Sequence, residues 1–118
     1  MPSQRRVFYI GSSYRDMEDL PKNVKEDFVQ RLTIARLGGT PPKMKAWKGE
    51  GSGVYELLGD ERGEAYRAVY TIRFKEAVYI LHVFHKKSKS GIKTPLPDKR
   101  KVHSRLREAE IHYGENFK

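Results

Sequence analysis

Residues 65–85 read AYRAVYTIRFKEAVYILHVFH, and the first half of this segment alternates between two kinds of side chain. Every second position over residues 66–74 is apolar, while Arg67 and Arg73 fall on the opposite side, as in a half-buried strand. Residues 77–85 are apolar on both sides, which is typical of a central strand. Only two residues separate these runs, so the segment predicts an antiparallel hairpin with cations on the second face of its first strand.

Helical periodicity flanks the hairpin on both sides. A short helix ending at Met17 and a longer one starting at Pro21 are predicted, and the glycine pair at 38–39 ends the longer helix. A C-terminal helix is predicted to begin at Asp98 and to end at Gly114. The apolar positions of the two long helices recur at helical spacing: Val24, Phe28, Leu32 and Ala35 in the first, and Val102, Leu106, Ala109 and Tyr113 in the last.

Two further strands complete the predicted order of elements. They cover residues 5–10 and 53–58, and a polar loop follows at residues 59–64. The order β-α-α-β-β-β-α predicts an α+β fold: a curved, mainly antiparallel sheet packed on one face by the two N-terminal helices, with an additional C-terminal helix. The length of 118 residues suits a single domain spanning residues 1–118.

The positive charge of the chain is concentrated in one segment. Residues 73–107 hold eleven basic and two acidic residues, which accounts for the whole formal net charge of +9. Such a concentration favours a polyanionic partner over a charged surface kept only for solubility. The chain has no cysteine, which excludes disulfides and thiolate chemistry. The apolar stretch at residues 77–84 is too short to span a membrane, and the N-terminus lacks a secretory signal, so we expect a cytoplasmic protein with no membrane partner.

Most named catalytic motifs are absent from the sequence. There is no phosphate-binding glycine loop, no nucleophile elbow and no zincin motif. His82 and His85 lie three apart on a strand and so face opposite sides, and His82 is expected to be a buried, hydrogen-bonded histidine. We therefore predict neither a metal site nor a cofactor.

Basic groups are expected to converge where the hairpin strands end. Arg67 lies on the solvent side of one strand, and His85, Lys86 and Lys87 follow on the next. RNA cleaves itself when its 2′-hydroxyl attacks the adjacent phosphorus, so an enzyme needs only a base, an acid and cations. Arg67 is alternatively a surface residue or an ion-pair partner of Glu56, and the two lysines are alternatively phosphate contacts only. Further RNA contacts are predicted at six positions: Lys45, Lys48, Arg73, Lys89, Lys93 and Thr94.

Five tracts together resemble the HigB-type, phage-related branch of the RelE toxin superfamily. They lie at residues 45–49, 53–57, 66–70, 79–88 and 93–95, and read KAWKG, GVYEL, YRAVY, YILHVFHKKS and KTP. The resemblance implies the toxin of a type II toxin–antitoxin pair, an endoribonuclease that cleaves mRNA on the ribosome. It also implies a cognate antitoxin, commonly a helix-turn-helix protein.

The resemblance assigns site residues by motif position. Arg67 matches the sheet arginine at the scissile phosphate, and Lys86 and Lys87 match the basic cluster after the last long strand. Where the founding toxins carry lysines on the preceding strand, this sequence has Glu56 and Leu58. The general base is therefore left open between His85 and Lys87. A non-catalytic nucleic-acid-binding or antitoxin-binding module is the alternative function, and a structural phage-derived protein is a third.

Overall fold

The computed structural model describes residues 4–86 and 94–117. It contains three helices and five strands within those residues. In chain order they are β1 (Arg6–Tyr9), α1 (Ser13–Glu18), α2 (Lys22–Arg36), β2 (Met44–Ala46), β3 (Val54–Glu61), β4 (Glu64–Phe74), β5 (Ala77–Lys86) and α3 (Leu96–Asn116). The predicted α+β class and the order of the predicted elements are confirmed, and β2 is an addition that the sequence prediction lacked. The helix α3 begins before Asp98 and continues past Gly114, so the predicted ends of this helix are wrong.

The five strands form one open sheet in the order β1-β5-β4-β3-β2. The β4–β5 hairpin lies in the interior of this sheet, as the apolar character of residues 77–85 on both sides predicted. β1 pairs with β5 in parallel, and every other neighbouring pair is antiparallel. The sheet is therefore mainly antiparallel, with short strands at both edges.

The helices α1 and α2 pack on one face of the sheet. The four periodic positions of α2 are all buried there with residues of β3, β4 and β5, including Leu57, Tyr70 and Ile80. This confirms the predicted helix and its apolar face. Arg31 of α2 is also buried, at 4% exposure, and its guanidinium donates to the backbone carbonyls of Pro42, Lys43 and Leu58.

The helix α3 covers the opposite face of the sheet. Val102, Leu106 and Ala109 pack against Val69 and Tyr79 in a second apolar cluster. The prediction that this face presents mainly cations to solvent is wrong, because α3 buries its central part. No described helix has the length and apolar character needed to cross a bilayer.

The turn between β3 and β4 is shorter than predicted. The strands pair as far as Glu61 and Glu64, so only Arg62 and Gly63 form the loop. Both have positive φ, at 52° and 79°, as a two-residue type I′ hairpin requires. The predicted loop over residues 59–64 is therefore mostly strand, and the arginine in the left-handed region gave no sequence signal for it.

Candidate functional site

Four charged side chains form a diagonal row across the α3-covered face of the sheet, beyond the start of that helix. The row consists of Lys45 on β2, Glu56 on β3, Arg67 on β4 and Lys86 on β5. Lys45 is the direct cross-strand partner of Glu56. Arg67 lies two residues along β4 from the direct partner of Glu56, and Lys86 lies two residues along β5 from the direct partner of Arg67. A displacement of two keeps side chains on the same face and within reach of diagonal neighbours. We refer to these four residues as the charged row.

Glu56 is the single acidic member of the charged row. Its side chain is 4% exposed, and Oε1 lies 3.3 Å from the Lys45 Nζ atom. The second oxygen, Oε2, is buried and has no hydrogen-bond partner among the described residues. Buried polar atoms are nearly always hydrogen-bonded, so this oxygen is an acceptor held available at the site.

Arg67 shows the same incomplete pairing on the cationic side. Its Nη1 donates a 2.9 Å bond to the Tyr66 carbonyl. Its Nε is buried and, within the part of the chain that the structure describes, has no acceptor. The guanidinium therefore keeps donor capacity for an anion.

Lys86 is a buried lysine, with 6% of its surface exposed. Burial lowers the pKa of its ammonium group below the usual 10.5, because the charged form loses solvation. The neighbouring charges of Arg67 and Lys45 lower this pKa further, and Glu56 raises it. The charges of the row thus act on one another, and they favour release of a proton from Lys86.

A cavity of about 290 Å³ lies at the β2 end of the charged row. Lys45 and Glu56 line it, together with Lys48 from the loop after β2 and with Thr94 and Lys99 from the start of α3. Ala46 and Trp47 are the other described residues that line it. Three lysines, a hydroxyl and one carboxylate around open space form an environment suited to a phosphate and its ribose.

Five of the predicted site residues meet at this place. Arg67 and Lys86 belong to the charged row, and Lys45, Lys48 and Thr94 line the cavity. Lys87, Lys89 and Lys93 were also predicted, and they lie outside the described residues.

Arg73 does not belong to the site. Its guanidinium bonds to the carbonyls of Glu50 and Ser52, and it lies 3.6 Å from the Glu110 carboxylate of α3. These contacts tie the loop before β3 to the sheet and to α3. The predicted RNA contact at Arg73 is therefore replaced by a structural one.

His85 lies on the other face of the sheet from Arg67. Its ring stacks on Tyr66 at 4.9 Å, and its Nε2 lies 2.7 Å from a Glu64 carboxylate oxygen. Tyr66 packs on the α1 and α2 side. The prediction that His85 converges with Arg67 is wrong, because His85 directly precedes Lys86 in β5 and consecutive residues of a strand point to opposite faces.

Sequence reasoning missed two members of the site. Glu56 was weighed only as an ion-pair partner of Arg67, whereas its partner in the structure is Lys45. Lys99 was counted in the basic segment but not singled out. The sequence signal for Glu56 is a charged residue at a strand position whose side chain points inward. This signal identifies a site residue only once the β2–β3 register is known.

One sequence prediction about this region is confirmed: His82 is buried and hydrogen-bonded. Trp47 is 6% exposed and packs in the α3 cluster. In the described chain, no group of three or more histidine, aspartate or glutamate side chains is arranged to hold a metal ion.

The fold is that of the RelE-type toxins. The E. coli toxin RelE, solved as a mutant in the free state, aligns with a TM-score of 0.57 and 16% identity, over 91% of this chain and 98% of that chain. The toxin–antitoxin complex RelBE2 from Mycobacterium tuberculosis aligns with a TM-score of 0.48 and 24% identity, over 75% of this chain and 98% of that chain. The search of curated proteins finds no match.

The sequence itself places the chain in a family. The model of the family described as "Phage derived protein Gp49-like (DUF891)" matches residues 15–107. The chain belongs to this Gp49-like family. Its membership of the RelE superfamily, which the resemblance of the five tracts implied, is thereby confirmed.

Proposed function

We propose that the protein is the toxin of a toxin–antitoxin pair and that it cleaves RNA. One observation carries this proposal: the charged row places three cations and a carboxylate oxygen without a described partner beside a lysine-lined cavity. A binding surface for phosphate needs cations alone. A buried carboxylate with an unpaired oxygen among those cations adds a proton acceptor, which cleavage needs and simple binding does not.

The reaction we propose is attack of the ribose 2′-hydroxyl on the adjacent phosphorus. Glu56 Oε2 takes the 2′-hydroxyl proton as the new O–P bond forms. Arg67 stabilises the additional negative charge of the phosphorane with its unused donors. Lys86 gives a proton to the departing 5′-oxygen as the old O–P bond breaks. The products are a 2′,3′-cyclic phosphate and a free 5′-hydroxyl, and no metal or cofactor takes part.

The environment of Lys86 supports its role as the acid. A lysine with an ordinary pKa is too weak an acid to donate efficiently near neutral pH. Burial and the charges of Arg67 and Lys45 lower the pKa of Lys86 and so make it a stronger acid. Because His85 lies on the opposite face, we propose Glu56 as the base in its place. Lys87, the other base that the sequence left open, lies outside the described residues.

The biological setting is also part of the proposal. Membership of the RelE superfamily supports mRNA on the ribosome as the substrate, the cytoplasm as the site of action and an antitoxin as the inhibitor. We further propose that the antitoxin is a helix-turn-helix protein. The lysines of the cavity supply the sequence-independent phosphate contacts that any such RNA requires.

The test is cleavage of a translated mRNA by wild type and by matched variants, with a chelator present throughout. Arg67→Ala and Glu56→Gln are expected to lose cleavage, whereas Arg15→Ala, an exposed arginine on α1, is expected to cleave as wild type does. Fragment ends distinguish the chemistry: 2′,3′-cyclic phosphate supports the mechanism. Strict magnesium dependence with 5′-phosphate ends would overturn it. Wild type that binds RNA without cleaving it would identify a binding module instead.

A further inference from the structure

A second polar network lies on the α3-covered face, next to the cavity but outside the charged row. His82 is 2% exposed, and its Nε2 lies 2.6 Å from Asp98 Oδ1. Its Nδ1 lies 3.3 Å from the Nη1 of Arg105. The network therefore joins β5 to two successive parts of α3.

The hydrogen-bonding roles within this network are fixed by Arg105. A guanidinium only donates hydrogen bonds, so Nδ1 of His82 accepts and carries no proton. Nε2 then carries the proton and donates a hydrogen bond to the Asp98 carboxylate. The short bond from His82 to Asp98 is thus a directed link from the sheet to the start of α3.

Arg105 is held rigidly on its other sides. Its Nη1 also donates to the Leu81 carbonyl at 3.0 Å, and its Nη2 donates to Ser12 Oγ at 2.9 Å. It lies against Gly11, where an added Cβ would come within 2.7 Å of the Arg105 Nε atom. Gly11 also has a φ of 59°, so a glycine there serves both the turn and the close approach. The network is a fixed frame rather than a loose surface contact.

Asp98 stands between the two residues of the α3 region that line the cavity. Thr94 precedes it by four residues, and Lys99 follows it directly. The start of α3 has no side-chain cap, because Pro95 occupies the N-cap position. The buried anchor of this first turn is the bond from His82 to Asp98, and the next buried residue of the helix is Val102.

We infer that His82 and Asp98 are positioning residues that hold Thr94 and Lys99 against the RNA cavity. The expected effect on RNA binding rests on the proposed function. The anchoring of α3 by His82 and Asp98 does not. Neither residue lines the cavity, so their effect passes through the first turn of α3. Loss of the anchor lets that turn move away from the sheet and opens the cavity.

Trp47 gives a direct readout of the anchor that does not depend on RNA. It is the chain's single tryptophan, it lines the cavity with Thr94 and Lys99, and it is 6% exposed. Acrylamide quenching of its fluorescence is expected to rise at least about twofold in Asp98→Ala, because local opening exposes a buried indole. Asp98→Asn keeps the accepting oxygen and is expected to quench as wild type does. Glu108→Ala, an exposed change on α3, is the matched control.

The second measurement is affinity for a short single-stranded RNA with 2′-O-methylated riboses, which cannot be cleaved by the proposed route. Asp98→Ala is expected to weaken binding about tenfold, because Thr94 and Lys99 are no longer held at the cavity, with Asp98→Asn restoring it. Unchanged quenching in a folded Asp98→Ala protein would overturn the anchor. Should that variant fail to fold, Asp98→Ser, whose side chain does not reach His82, takes its place.

The outcomes separate this inference from the proposed function. If quenching rises but no variant, including wild type, binds or cleaves RNA, the anchor stands and the proposed function fails. If quenching rises and wild-type binding is strong but unaffected by Asp98→Ala, the positioning role is overturned while the proposed function stands. If Asp98→Asn fails to restore both readouts, the hydrogen bond from His82 is not what holds the turn, and the inference is overturned.

Discussion

Arg31 and Arg67 are two arginines with buried guanidinium nitrogens, and the fold uses them in opposite ways. Arg31 donates to the Asp27 carboxylate and to three backbone carbonyls. Arg67 donates through Nη1 to the carbonyl of its neighbour, and its buried Nε has no partner among the described residues. The same side chain is saturated at one position and unsaturated at the other.

We propose that this difference separates an arginine that serves the structure from one that serves a ligand. A buried donor without an acceptor costs free energy of folding, and a bound anion that accepts its hydrogen bonds offsets that cost. The nearby Glu56 oxygen repeats the pattern with the opposite charge. Substitutions at Arg31 and Arg67 are therefore expected to separate stability from activity.

The largest effect is expected for RNA cleavage by Arg67→Met. Removal of a charge-stabilising donor typically lowers kcat by about 10²–10³-fold, and we expect a loss of that size. The free energy of unfolding should change by less than about 1 kcal/mol, because few bonds within the protein are lost. Single-turnover cleavage and a urea melt on the same preparation check both parts. A large loss of stability would mean that Arg67 is structural after all.

The converse effect is expected for Arg31→Met. Three carbonyls lose their donor, so the free energy of unfolding should fall by about 3 kcal/mol. The folded fraction should bind RNA with the affinity of wild type, because Arg31 lies on the opposite face from the charged row. Urea melts and RNA binding at low temperature test this. Equal melts for Arg31→Met and Arg67→Met would remove the distinction between them.

Acid is expected to destabilise the fold through His82, a group that, unlike Arg31, loses its charge when buried. Burial lowers its pKa below the usual 6.5, Arg105 and Lys101 lower it further, and Asp98 raises it. The unfolded chain therefore binds this proton more tightly, and stability present above pH 6.5 is lost as the pH falls toward the lowered pKa. Urea melts across this range should show a smaller slope in His82→Gln. An identical slope would contradict the assignment.

The smallest expected effect is a rise in the free energy of unfolding at alkaline pH, and this rise depends on Lys86. Because the folded state lowers the pKa of Lys86 below 10.5, the unfolded chain binds more protons between the two values, and stability rises with pH there. Lys86→Met should lack this rise. Arg67→Met should reduce it, since one cation that lowers the pKa is gone, whereas Arg31→Met should leave it intact. Melts between pH 8 and pH 10.5 measure the effect.

The helices and the central hairpin were predictable because their signals are local. Val24, Phe28, Leu32 and Ala35 recur at a helical period, and all four are buried. The strand β2 was missed because three residues cannot show a period, and the pairing that defines them lies across the sheet. Local signals thus predicted the helices and the central hairpin, but not every strand that pairs with them.

The charged row was only half predictable for the same reason. Arg67 and Lys86 lie in the hairpin whose pairing the sequence revealed, whereas Lys45 and Glu56 join them through a register that local patterns do not encode. His85 was misplaced because strand alternation decides the face, and proximity to Lys86 along the chain does not. The packing of α3 on this face likewise depends on long-range contacts, which local patterns do not encode.

The parallel pairing of β1 with β5 has a consequence for how the chain assembles. Arg6 pairs with Ala77, so β1, the first described strand along the chain, finds its place only after β5, the last described strand, has been synthesised. Long-range contacts of this kind close late, because the entropy of ordering the intervening chain must be overcome first. We therefore expect the β4–β5 hairpin to nucleate folding and β1 to dock at the end. The sheet that carries the charged row is therefore complete only once β5 has been synthesised and β1 has docked beside it.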